Sequence, residues 1–243
     1  MPAKRAKGGD GMADFTAAVP HFLGHRARLR QRLIAGGPDA LPDYELLELL
    51  LFAGNPRGDT KPLAKDLIDR FGSFAEALSA DADELLTVPG LGEAGVAALK
   101  SVREAALRLS RAELQTRPVL GSWDKLIEYC MATMAYGKVE EFHLLFLDRK
   151  NMLIAHERQQ RGTIDHTPVY PREVVKRALD LGASALILVH NHPSGDPTPS
   201  KADVTMTRDI IKAAGPLGVT VHDHLVIGRG RHASLRDMGL MGG

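Results

Sequence analysis

Apolar residues recur at helical spacing through the first half of this chain and at strand spacing through much of the second. From Gly24 a basic segment carrying Arg26, Arg28, Arg30 and Arg32 reads as a helix. Arginines two apart fan around such a helix instead of lining one side, which is the habit of a solvated face. Asp43 is placed to cap a helix containing the apolar run Leu46–Phe52. Asp59 and Thr60 open another, with Leu63, Ala64, Leu67, Ile68 and Phe71 at helical spacing. Helix and turn alternate to about Leu109, so this half reads as all-α. The polar stretch Arg111–Pro118 reads as a linker, which sets a boundary near residue 115.

After one more helix, about Ser122–Ala135, the pattern changes. Phe142–Leu147 and Met152–Ala155 read as strands joined by a turn at Asp148-Arg149-Lys150-Asn151. Residues 172–180 read as helix, Ala185–His190 as a buried strand, Ser200–Ala214 as helix and Val219–Ile227 as strand. Strands alternating with helices predict an α/β layered domain. The expected organisation is an α+β two-domain chain: a mobile tail over 1–20, an all-α domain over 21–112 and an α/β domain over 119–243.

With 243 residues, 44% of them hydrophobic, the chain can bury one large core or two smaller ones. Lys+Arg 31 against Asp+Glu 30 excludes a globally basic nucleic-acid binder and an acidic disordered protein. A charged partner must therefore meet a local patch. The single cysteine, Cys130, excludes a disulfide framework and a multi-cysteine zinc site, and fits a reducing cytosol. The apolar runs Leu46–Phe52 and Ala183–Val189 are too short to span a bilayer, and no secretory signal opens the chain, so a cytoplasmic location is expected.

One candidate for chemistry lies in the helical half, at Val88-Pro89-Gly90-Leu91-Gly92-Glu93-Ala94-Gly95. Pro89 ends one helix, and Gly90 and Gly92 permit a tight turn with exposed backbone. The N–H groups opening the next helix then face solvent with the positive end of the helix dipole behind them, which suits phosphate. The plainer role is a corner between two packed helices, and Glu93 opposes an anion. The string resembles a helix-hairpin-helix motif. That resemblance implies non-specific DNA-backbone contact through Gly90, Leu91 and Gly92; Lys100 and Arg103, about a turn further on, are placed to add charge.

The second candidate is His190-Asn191-His192-Pro193-Ser194-Gly195-Asp196-Pro197-Thr198-Pro199-Ser200-Lys201-Ala202-Asp203. His190 and His192, two apart at a strand end, converge on one face. Ser200 opens a helix whose first turn carries Asp203. Two imidazoles and a carboxylate leave one tetrahedral position open, the arrangement of a catalytic zinc, which would bring the pKa of a water to about 7. Singly, each feature has a plainer role: Ser200-x-x-Asp203 is also a capping box, and paired histidines also occur hydrogen-bonded in cores.

His190-x-His192, seven intervening residues, Ser200, two more and Asp203 matches the JAMM (MPN+) metalloprotease signature. The wider string, with Tyr170-Pro171-Arg172-Glu173 before it and Asp223-His224-Leu225-Val226-Ile227-Gly228 after it, resembles RadC, as does Leu41-Pro42-Asp43-Tyr44-Glu45-Leu46-Leu47 in the helical half. The resemblance spans about residues 20–240. It implies a JAMM/MPN-like, cytidine-deaminase-like layered domain holding Zn2+ through His190, His192 and Asp203. It also implies an upstream glutamate at a strand start as general base. Glu140 is the choice for that role, with Glu141 and Glu173 as rivals, and Ser200 is placed as oxyanion donor. The implied reaction is hydrolysis of a peptide or isopeptide amide in an unknown protein or peptide. The alternative is a DNA-associated repair or recombination factor whose metal domain is a nuclease or a scaffold. Asp223 and His224 are candidates to orient metal ligands, or else a buried hydrogen-bonded pair; His222 is taken as incidental.

Overall fold

The computed structural model describes residues 22–37, 39–162 and 169–242. The expected tail over 1–20 lies outside them. Helices come first: α1 (Phe22–Gly36), α2 (Asp43–Leu51), α3 (Lys61–Phe71), α4 (Phe74–Ser79), α5 (Ala82–Leu86) and the long α6 (Glu93–Gln115). Leu47, Leu51, Leu63, Leu67, Leu85, Val96 and Leu99 meet in one buried cluster, which uses the apolar stripe of each helix. Asp43 does not cap α2: Pro42 holds the extended N-cap position, and Asp43 sits in the first turn, where its charge still faces the helix dipole.

The second half begins with α7 (Trp123–Met134) and continues as β1 (Glu141–Leu147), β2 (Leu153–Arg161), α8 (Pro171–Asp180), β3 (Ala185–Asn191), α9 (Lys201–Ala214), β4 (Thr220–Ile227) and β5 (His232–Ser234). The strands form one mixed sheet in the order β2-β1-β3-β4-β5. Only β3 and β4 run parallel, joined by α9; the other pairs are antiparallel. The period of two sorts side chains to the faces. Leu145, Leu147, Ile187 and Val189 pack under α7, while Phe142, Leu144, Phe146, Leu186 and Leu188 pack under α8 and α9. A helical N-terminal region followed by an α/β domain is the expected α+β architecture.

Two boundaries differ from the sequence reading for physical reasons. Residues 111–115, read as linker, continue α6, because Leu114 is buried in the core beneath the sheet. β2 runs six residues past Ala155 through charged positions, because it is the sheet's edge strand and those side chains face solvent. The short β5 carries no three-residue pattern that sequence periodicity would detect. No helix among the described residues is long and apolar enough to cross a membrane.

Candidate metal centre

β3 carries the site at its C-terminal end. His190 follows Leu186 and Leu188 onto the α8/α9 face and is fully buried. His192 leaves the sheet, with its backbone N–H donating to the Ile227 carbonyl at 2.9 Å. The loop after it passes so close to the end of β4 that a Cβ at Gly228 would sit 2.3 Å from the Gly195 carbonyl oxygen, and Gly195 itself has φ +85°. Both positions therefore require glycine.

Ser200 and Asp203 form a reciprocal cap on α9. The Ser200 N–H donates to Asp203 Oδ2 at 2.7 Å, and the Asp203 N–H donates to Ser200 Oγ at 3.2 Å. The cap holds the carboxylate in place instead of competing with ligation. Asp203 Oδ1 lies 3.4 Å from His190 Nε2, Asp203 Oδ2 lies 3.8 Å from His192 Nε2, and the two imidazole Nε2 atoms are 3.0 Å apart. With Glu140 added, one ligand atom from each of the four residues lies within 4.8 Å of the others.

Hydrogen bonds fix which atoms face the centre. The Thr207 hydroxyl donates to the Asp203 carbonyl at 2.6 Å and so accepts from His224 Nδ1, also at 2.6 Å. His224 Nε2 then accepts from His190 Nδ1 at 2.7 Å, which leaves a lone pair on His190 Nε2. His192 Nδ1 donates to the Asp196 carbonyl at 2.8 Å, so its Nε2 lone pair also points inward. Burial holds the His224 imidazole well below its ordinary pKa, which keeps that ring neutral. Two lone pairs and a carboxylate converging at these distances can hold a cation. Ligand atoms around a tetrahedral zinc with bonds of about 2.0–2.1 Å are about 3.3 Å apart, close to the separations found here. Burial alone would raise the Asp203 carboxyl, yet where a proton takes a cation's place on their Nε2 atoms, His190 and His192 donate to it and hold it well below the usual carboxylate range. Asp203 in turn raises His192.

Glu140 stands immediately before β1, and Asn191 braces it from both sides. Asn191 Oδ1 accepts from the Glu141 N–H at 2.8 Å, and Asn191 Nδ2 donates to the carbonyls of Val139 at 3.2 Å and Gly137 at 3.4 Å. Glu141 turns to the opposite face, where Arg158 donates to it at 2.9 Å and His143 lies 3.2 Å away. Glu173 is exposed on α8 beside Arg172. Of the three carboxylates weighed from sequence, Glu140 joins the cluster. Ser200 Oγ accepts within the cap, so its O–H remains to donate elsewhere.

The other candidates fall away from this centre. Asp223 accepts from Ser234 Oγ at 2.6 Å and from the N–H groups of His224 and Arg236, which pins β5. His222 lies 2.7 Å from Asn151 Oδ1. In the helical half, Gly90 has φ +84° and Gly92 is the extended N-cap of α6, with no side chain capping it. Leu91 is buried in the helical core, so only its backbone can meet a partner. Lys100, expected beside the turn as a phosphate partner, instead donates to the carbonyls of Leu78 and Ala80 at the end of α4; its half-buried position explains the diversion.

Sequence reasoning assigned no role to Asn191 or Thr207. A signal existed for the first: an asparagine ending a fully buried strand must find partners for its amide.

The RadC-like JAB domain family matches residues 120–240, and the UPF0758 N-terminal family matches residues 23–97. A UPF0758 protein of Rhodobacter capsulatus is 61% identical over 213 residues, covering 88% of this chain and 100% of the relative. A UPF0758 protein of Ruegeria pomeroyi is 56% identical over 224 residues, covering 92% and 100%.

Proposed function

This chain belongs to the RadC family, and from that membership we propose that its α/β half is a zinc-dependent hydrolase that cleaves a peptide or isopeptide amide. The observation that carries the reading is the convergence of Glu140, His190, His192 and Asp203 at one end of the sheet. His190, His192 and Asp203 would hold the metal and leave one position for solvent. When bound, zinc supplies Lewis acidity, polarising a carbonyl and easing deprotonation of water at neutral pH. Glu140 takes the proton from the attacking water and returns it to the leaving amine, a role worth roughly 10²–10⁴-fold. The Ser200 hydroxyl donates to the carbonyl oxygen as charge develops there, worth roughly 3–4 kcal/mol for one such donor. His224 and Thr207 hold the His190 ring with its lone pair inward.

Metal analysis of the purified chain is expected to find stoichiometric zinc, lost in His190→Ala and in Asp203→Ala. Glu140→Gln is expected to retain zinc and lose hydrolysis across a panel of fluorogenic peptides and isopeptides. Stoichiometric zinc in both alanine variants, or full activity in Glu140→Gln, would overturn the reading. A second reading, DNA contact through the turn at residues 87–92, draws support from the uncapped N–H groups that open α6. A gel shift that weakens with salt and disappears on substitution of Gly90 and Gly92 would favour it.

A further inference from the structure

On the sheet face opposite the metal cluster, a cavity of about 370 Å³ lies between the helical and α/β halves. Its cations come from both: Lys100 and Arg103 from α6, Lys138 from the turn before β1, and Arg158 and Arg161 from β2. The carboxylates in its wall are Asp81 and Glu141. Glu141 pairs with Arg158 at 2.9 Å and Arg161 at 3.6 Å, and Lys138 reaches Glu84 at the rim at 2.5 Å. Neither Lys100 nor Arg103 has a carboxylate within ion-pair distance among the described residues. Lys100 is committed to backbone carbonyls; Arg103 donates through Nη2 to the Thr133 carbonyl at 2.9 Å, and its buried Nε has no partner. Burial lowers the Lys100 pKa and the neighbouring Arg103 lowers it further, with Asp81 offsetting part of the effect.

A solvated basic face would let these side chains spread into water. Here Arg103 is tethered and partly sunk between α6 and α7, while Glu141 gathers Arg158 and Arg161 on the facing wall. Five cations against two carboxylates in the wall and Glu84 at the rim leave an excess of two in a chain whose net charge is only +1. Guanidinium forks match phosphate oxygens two at a time, and a volume of this size suits a small molecule, not a duplex or a folded partner.

We propose that this cavity binds a small diphosphate-bearing anion, with Arg103 and Arg161 gripping the phosphates from opposite walls. Gly137, Val139 and Glu141 also line it, and these are the residues whose backbone Asn191 holds, so an occupant bears directly on the segment that presents Glu140. The binding claim is independent of the hydrolase reading.

Isothermal titration of the full chain with inorganic pyrophosphate at fixed ionic strength, repeated with a nucleoside diphosphate and with a short single-stranded oligonucleotide, tests it. Saturable binding of one pyrophosphate or nucleoside diphosphate per chain is expected. Affinity should fall at least about tenfold in Arg103→Gln and in Arg161→Gln; the second variant is a solvent-exposed change that spares the fold. His192→Ala is expected to bind as the parent does. The proposal is overturned if neither diphosphate binds saturably, if Arg161→Gln binds as well as the parent, or if His192→Ala abolishes binding and so places the anion on the metal. Binding of the oligonucleotide alone also overturns it.

Discussion

Asn191 stands between two metal-ligand candidates, yet its side chain serves a third residue. The amide uses one acceptor and both donors to hold the backbone on either side of Glu140. Truncation to alanine strands buried polar groups, at about 1–3 kcal/mol each, and is expected to lower the melting temperature. Asn191→Asp is the sharper change: it keeps the bond from the Glu141 N–H but sets a carboxylate oxygen against the carbonyls of Gly137 and Val139. The expected outcome is unaltered zinc stoichiometry with kcat reduced by one to two orders of magnitude and KM little changed. Parent-like kcat would show that Glu140 needs no such brace. The candidate ligands themselves were legible in sequence, because the period of two carried just past the end of β3 brings His192 to the side of His190, and a capping box fixes Asp203. The brace was not: its partners lie some fifty residues upstream, and spacing carries no record of which distant turn a buried amide will meet.

Among the elements, a ladder of side chains ties α6 and α7 to β2 and β1. Arg111 Nε donates to the Tyr129 hydroxyl at 3.0 Å, Tyr129 lies 2.6 Å from His156 Nδ1, and His156 Nε2 lies 2.8 Å from His143 Nδ1. His143 ends the ladder 3.2 Å from Glu141. Burial, with smaller contributions from His143 and Arg111, brings the His156 pKa down to about 3. Between about pH 6.5 and pH 3 the unfolded chain therefore binds a proton that the folded chain refuses. Its contribution to stability is complete above pH 6.5 and is lost as the pH falls through that window, at up to about 1.4 kcal/mol per unit. Urea midpoints from pH 8 to pH 4 should fall steeply in the parent and less so in His156→Gln, with the buried His224 adding the same background to both. Equal slopes would assign the acid sensitivity elsewhere. The ladder also shows which elements sequence pattern conceals. β2 as an alternating edge strand and α6 beyond Arg111 both look polar in sequence, and only their packing partners reveal that they are ordered.

At the scale of the whole molecule, the two halves are joined less by side-chain pairs than by one continuous helix. Lys138–Glu84 and Arg229–Glu76, at 2.5 and 3.9 Å, are solvent-exposed pairs of the kind worth about 0–1 kcal/mol. α6, by contrast, buries Val96 and Leu99 in the helical core and Leu114 in the core under the sheet, with exposed residues between. Fraying of either core must therefore propagate along a helix that the other core holds. Ala106 sits in that exposed middle, where proline would remove a helical hydrogen bond and clash with the preceding turn, at a cost of about 3 kcal/mol or more. Ala106→Pro is expected to split a single calorimetric transition into two and to weaken binding at the cavity between the halves. Zinc stoichiometry should be unchanged, because every candidate ligand lies on the sheet side of the break. Glu84→Gln should shift the transition by no more than its ion pair is worth. A single transition in Ala106→Pro would mean that the facing surfaces, and not the helix, couple the two cores.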